Sequence, residues 1–107
     1  IEDCKKWYRI LNQEIFNNTL PPTFDTFVIK RLRGAWAWFV WEKKGLSIEV
    51  NHRFMSKKQF VEVIAHELIH LHQYCNNDPF GHGPSFEIWQ DKFNKKGLAL
   101  GKIYNYE

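Results

Sequence analysis

The chain has no apolar run approaching the roughly 20 residues that a bilayer-spanning helix requires. No secretory leader pattern follows Ile1. Cysteine is scarce. Cys4 and Cys75 are far apart in sequence and match no metal-knuckle spacing, which argues against a disulfide-stapled scaffold or a cysteine zinc finger. The pair reads as two reduced thiols in a cytoplasmic or nucleic-acid-associated intracellular setting. With 4 prolines, 6 glycines, no repeats and no low-complexity stretch, there is no sign of an internal linker. Charge is nearly balanced too: 15 basic against 12 acidic side chains leave +3, too small an excess to demand a nucleic-acid partner.

What remains is a globular composition, 44% hydrophobic and 25% charged. A chain of 107 residues can bury one core without obligatory staples. It reads as a single domain over 1–107, whether or not it is cut from a longer chain, and as a monomer with no membrane contact.

Hydrophobic periodicity predicts a first helix over 3–18, with Cys4, Trp7, Tyr8, Leu11 and Ile15 on its apolar face. Asn12 and Gln13 fall on the other side, and Asn17-Asn18 and Pro21-Pro22 end it. A strand is expected at 24–30. A turn at 31–34 leads to the aromatic strand Ala35–Trp41, in which Trp36, Trp38 and Val40 share one face. Glu42-Lys43-Lys44-Gly45 is a short hairpin link, so the return strand Leu46–Val50 is antiparallel to the aromatic one, with Leu46, Ile48 and Val50 inward. Ser56 caps a second helix over 57–75, with Gln59 at the capping-box position and a Met55–Phe60 staple. Its buried stripe is Phe60, Ile64, Leu68, Leu71 and Cys75. A third helix runs from 85 or 86 to about 96 and stops at Gly97. The last ten residues are expected to add a short strand or lie across the body.

The second helix carries His66-Glu67-Leu68-Ile69-His70, the His-Glu-x-x-His pattern. At about 100° per residue His70 projects about 40° from His66 and one turn further along, so both imidazoles can meet one ion. Glu67 lies about 60° from His70, within reach of a water beside the metal yet off the ligand positions. A catalytic zinc takes three protein ligands and leaves a place for water. His72 points to the far side of the helix. His82, flanked by Gly81 and Gly83, is the natural third ligand. Glu87 on the third helix is its rival, and Asp78 is a further alternative. Glu67 suits the role of general base in amide hydrolysis. Tyr74 is a candidate for stabilising the oxyanion, and Asp91 or Glu62 for orienting a ligand imidazole.

His66–His70 followed by Gly81-His82-Gly83-Pro84-Ser85-Phe86 resembles the SprT-like family of zinc metallopeptidases, which includes the Spartan protease of DNA–protein crosslink repair. The resemblance runs over nearly the whole chain, through the order of helix, aromatic strand, hairpin, strand ending in Val50-Asn51, and active-site helix. It implies an α+β, zincin-like minimal metalloprotease domain: an N-terminal helix, a small antiparallel sheet, the active-site helix and a C-terminal packing helix. It further implies one catalytic Zn2+ held by His66, His70 and His82, with Glu67 catalytic. The substrate would be a flexible or unfolded polypeptide running along a strand edge, with Trp36 or Trp38 near the cleft.

Two departures stand out. The link from His70 to His82 is shorter than in the Spartan-type enzymes, and these residues hold no cysteine-rich ribbon or strongly basic appendage. DNA as a partner therefore rests on the resemblance and on scattered basic residues such as Arg31, Arg33, Arg53, Lys57 and Lys58, which a solvated face explains equally well. The competing reading is a catalytically idle zinc-containing module that binds DNA or serves as structure.

Overall fold

A computed structural model describes residues 2–21, 27–42, 45–54, 56–78 and 81–97. In chain order these form α1 (Glu2–Glu14), β1 (Phe27–Lys30), β2 (Ala37–Glu42), β3 (Gly45–Asn51), α2 (Lys57–Cys75) and α3 (Pro84–Lys95). This is the α+β layout expected, one helix, a small sheet and two helices. The expected strand residues 24–26, the turn residues Lys43 and Lys44, the staple residue Met55 and the last ten residues lie outside the described residues.

The sheet corrects one expectation. It is mixed, not wholly antiparallel, with strand order β1-β3-β2. The hairpin is antiparallel, pairing Phe39 with Ile48 and Ala37 with Val50, but β1 runs parallel to β3, pairing Phe27 with Ile48 and Ile29 with Val50. A parallel pair needs a crossover of about a dozen residues. Here β2 itself supplies that length: the chain leaves β1, crosses to the far edge, and returns through the hairpin into the centre. Ile48 and Val50 on the central strand are consequently fully buried.

Where β2 begins also matters. Asn51 N–H donates to Trp36 O at 2.7 Å, but the strand proper starts only at Ala37. The alternation therefore does not extend back to Trp36, and the two tryptophans part company. Trp36 is buried and stacks on Phe54 with ring centroids 5.6 Å apart. Trp38 is exposed on the outer face, where its indole Nε1 donates to Glu49 and Lys30 Nζ lies 3.3 Å from the same carboxylate.

α1 buries Cys4, Tyr8 and Leu11, and Ile15 just beyond it, as the spacing requires, with Trp7 partly covered. The helix stops at Glu14, and Asn17 and Asn18 take positive φ values of 52° and 61°. Asparagine tolerates that region better than most residues. The turn folds the chain back over α1 and buries Asn12, placed on the polar side by periodicity. Its Oδ1 accepts from Leu20 N at 3.1 Å and its Nδ2 donates to Leu20 O at 3.4 Å. Asn12→Leu should leave both backbone groups unpaired and cost about 1–3 kcal/mol, read as a lower urea midpoint.

α2 packs against both other helices and one strand of the sheet. It spans the expected 57–75, and the Ser56 side chain accepts from Gln59 N at 3.1 Å. It contacts β2, α1 and α3. A helix covered on several sides cannot show a single buried stripe. Ile64, Leu68 and Leu71 are buried as expected, but so are Val61, Val63, Ala65 and Ile69. Cys75, expected in the stripe, is exposed, and Phe60 is only partly covered. Among the described residues no helix is long and apolar enough to cross a membrane.

Candidate metal centre

The middle of α2 carries His66, Glu67 and His70, each less than a tenth exposed. Three polar side chains buried in one helical turn are costly unless they are partnered or coordinate an ion. The loop after α2 brings His82 to the same place. The ligand atoms of His66, His70 and His82 all lie within 4.8 Å of one another, and the three ring centroids are 5.0 to 5.1 Å apart. Nε2 of His82 is 3.3 Å from Nε2 of His66. Two nitrogens about 2.0–2.1 Å from one tetrahedral zinc are themselves separated by about 3.3 Å, so this spacing fits the metal. The three histidines form a candidate zinc-binding triad of the zincin type.

Local chemistry explains how His82 arrives there. Gly81 has φ 123°, open to glycine and strained for any side chain, although a Cβ there would meet nothing within 4 Å. The requirement is conformational, not one of space. Gly83 is the N-cap of α3 and Pro84 opens the helix, where its missing N–H costs nothing. Two residues later Phe86, fully buried, sets its ring against all three imidazoles at centroid distances of 4.9, 5.5 and 4.9 Å. α3 thus provides the apolar backing of the cluster.

The sequence reading missed Gln73. It is fully buried, and its Oε1 lies 2.9 Å from His70 Nδ1 while Nε2 donates to Gly81 O at 3.0 Å and to Ser85 Oγ at 2.9 Å. A signal was available: three residues beyond His70 and seven beyond His66, a glutamine falls on the ligand face of the helix. Asp91, one of the two carboxylates considered for orienting a ligand imidazole, is exposed on α3, and Glu62 is half-buried on α2.

The remaining candidates are placed as follows. His72 sits at the core edge between Phe16 and Trp89, at centroid distances of 5.6 and 4.7 Å, with Asp78 at 4.0 Å from its Nδ1. Glu87 is exposed in the first turn of α3, and the cluster is completed by His82 without it. Asp78 is exposed beside His72. Tyr74 is exposed and packs its ring on Phe39 at 5.9 Å.

Burial pushes the Glu67 carboxyl up to about 8. In the metal-free protein the folded state therefore keeps a proton that the unfolded chain, titrating near 4.5, has released at neutral pH. A raised folded pKa contributes stability that is complete below the unfolded value and is lost as pH rises through the folded one. Burial lowers His70 and His72 from 6.5, so their contribution is lost in the opposite direction, as pH falls below that value. Between about pH 7 and 8 the carboxylate makes the larger contribution. Across that window the metal-free protein should lose about 1 kcal/mol, and Glu67→Gln should flatten the slope, both measured by urea unfolding in chelator.

Residues 4–104 match the family model described as the SprT-like family. No curated protein matches the chain.

Proposed function

The chain belongs to the SprT-like family, and from that premise we propose that it is a zinc-dependent endopeptidase acting on flexible or unfolded polypeptide. The observation that carries the reading is the convergence of His66, His70 and His82 within 4.8 Å, beside a buried glutamate on the same helix. When bound, zinc supplies a Lewis acid that acidifies water and polarises the scissile carbonyl. The three imidazoles would hold the ion, as neutral donors that leave it its full charge. Glu67 takes a proton from the attacking water and returns it to the leaving amine, as general base and then acid. Phe86 keeps water from the rear of the ligand cluster, which strengthens charge interactions within it.

Substrate access follows from the sheet. Among the described residues β2 is an edge strand, and it packs on α2, the helix that bears two of the ligands. An extended peptide can add alongside such an edge through backbone hydrogen bonds, whereas a folded protein holds most of its backbone groups in hydrogen bonds of its own. DNA enters the proposal only as a second ligand. Arg31, Arg33, Arg53, Lys57 and Lys58 are exposed, and exposed cations support phosphate contacts without specifying them.

The experiment is a cleavage assay on an unstructured protein, with zinc, with chelator, and with or without single-stranded DNA. Zinc-dependent fragments are expected. Faster cleavage with DNA would assign the protein to crosslink-repair chemistry, and cleavage indifferent to DNA to general peptidase work. Stoichiometric zinc with no hydrolysis under any condition would overturn the enzyme reading in favour of a binding module.

A further inference from the structure

Resting on the zinc reading, we propose that Gln73 is a positioning residue of the metal centre. Its carboxamide sets the tautomer of His70 and fastens the loop that carries His82 to α2. Which end of a glutamine amide faces which partner is normally an assignment, but backbone partners of known polarity remove the ambiguity. Gly81 O can only accept, and it lies 3.0 Å from one end of the amide. That end is therefore the NH2 group. Gly81 N can only donate, and it lies 3.4 Å from the other end, which is therefore the carbonyl oxygen.

The same oxygen is 2.9 Å from His70 Nδ1. An amide oxygen cannot donate, so Nδ1 must carry the proton. A neutral imidazole protonated at Nδ1 keeps its lone pair on Nε2, leaving that nitrogen free to ligate. Gln73 thus determines which nitrogen of His70 is offered to the ion, before any ion arrives.

The other end of the side chain holds the third ligand in place. Nε2 of Gln73 donates to Gly81 O and to Ser85 Oγ, two groups that bracket His82 in sequence. With both brackets tied to one fully buried side chain on α2, the loop needs little rearrangement to bring His82 to the helix histidines. One residue couples the ligand on α2 to the ligand on the loop. A glutamine, unlike the carboxylates often found behind metal-bound imidazoles, does both because it accepts at one end and donates at the other.

The test uses the metal-free and zinc-loaded protein with Gln73→Met, similar in size and unable to bond at either end, and Gln73→Glu, which keeps the acceptor but loses the donor. Nitrogen-15 NMR of the histidine side chains reads the tautomer directly. Metal-free wild type should show His70 protonated at Nδ1. Gln73→Met should show a mixture, and Gln73→Glu should restore the Nδ1 proton. Zinc affinity, measured by chelator competition, should fall by about 10–100-fold in Gln73→Met, the usual cost of losing a group that orients a ligand. An Nε2-protonated His70 in the wild type would overturn the proposal, as would a Gln73→Met protein with unchanged tautomer and zinc affinity within twofold. If Gln73→Met fails to fold, the wild-type tautomer decides the matter. A wild type that binds no zinc would defeat the peptidase reading, while the metal-free tautomer would still judge Gln73.

Discussion

Replacing Glu67 by glutamine should leave zinc bound at one equivalent and the fold intact while peptide cleavage falls by about 10²–10⁴-fold. The substitution is nearly isosteric, and the three histidines keep their places on α2 and the loop. What it removes is the capacity to accept a proton. A glutamine amide can hold a water by hydrogen bond but cannot take its proton, so the attacking oxygen stays a poor nucleophile. Stability should not suffer, since a carboxyl buried to 5% exposure with its pKa pushed up to about 8 is a cost to the metal-free fold above neutrality. Metal content by atomic absorption and cleavage of an unstructured protein measure the two halves separately. Wild-type turnover in the variant would remove Glu67 from the mechanism.

The second large effect is expected at His82. His82→Ala should weaken zinc binding by more than about 100-fold, beyond the usual cost of losing a group that merely orients a ligand, and abolish cleavage with it. Two imidazoles on one helix leave the ion without its third protein donor, and among the described residues the cluster holds no other histidine, cysteine or carboxylate in its place. The matched control is Glu87→Ala. Glu87 is exposed on α3, so its removal should leave zinc affinity and activity close to wild type. Zinc lost from the Glu87 variant and retained by the His82 variant would reverse the assignment. Because His82 is half-buried on a loop, its loss should spare the fold, which circular dichroism can verify.

Much of this architecture follows from local rules. α2 begins at the residue that Ser56 and Gln59 dictate, and α3 stops before Gly97, whose φ is 92°. The β2–β3 hairpin is antiparallel because its link is too short for any other connection. His66 and His70 lie side by side on one face of α2 because helical spacing puts them there. Each is a consequence of a few consecutive residues, and local chemistry is sufficient for it.

The rest depended on contacts between segments distant in sequence. The parallel pairing of β1 is one case: no short-range rule says which edge of the hairpin a preceding strand will join. The separation of Trp36 from Trp38 is another, because regular strand geometry begins only at Ala37 and alternation begins with it. Cys75 is exposed and Asn12 buried against their helical patterns, since burial depends on what packs alongside a helix as well as on its own periodicity. At the candidate metal centre, sequence by itself determined the two helix histidines and the neighbouring glutamate, because their spacing is a property of one helix. That His82 completes the cluster, that Phe86 backs it and that Gln73 ties its halves together was decided by tertiary structure. These residues meet only when the loop and α3 fold back on α2, and the buried amide hydrogen bonds that hold them join groups with no fixed separation along the chain.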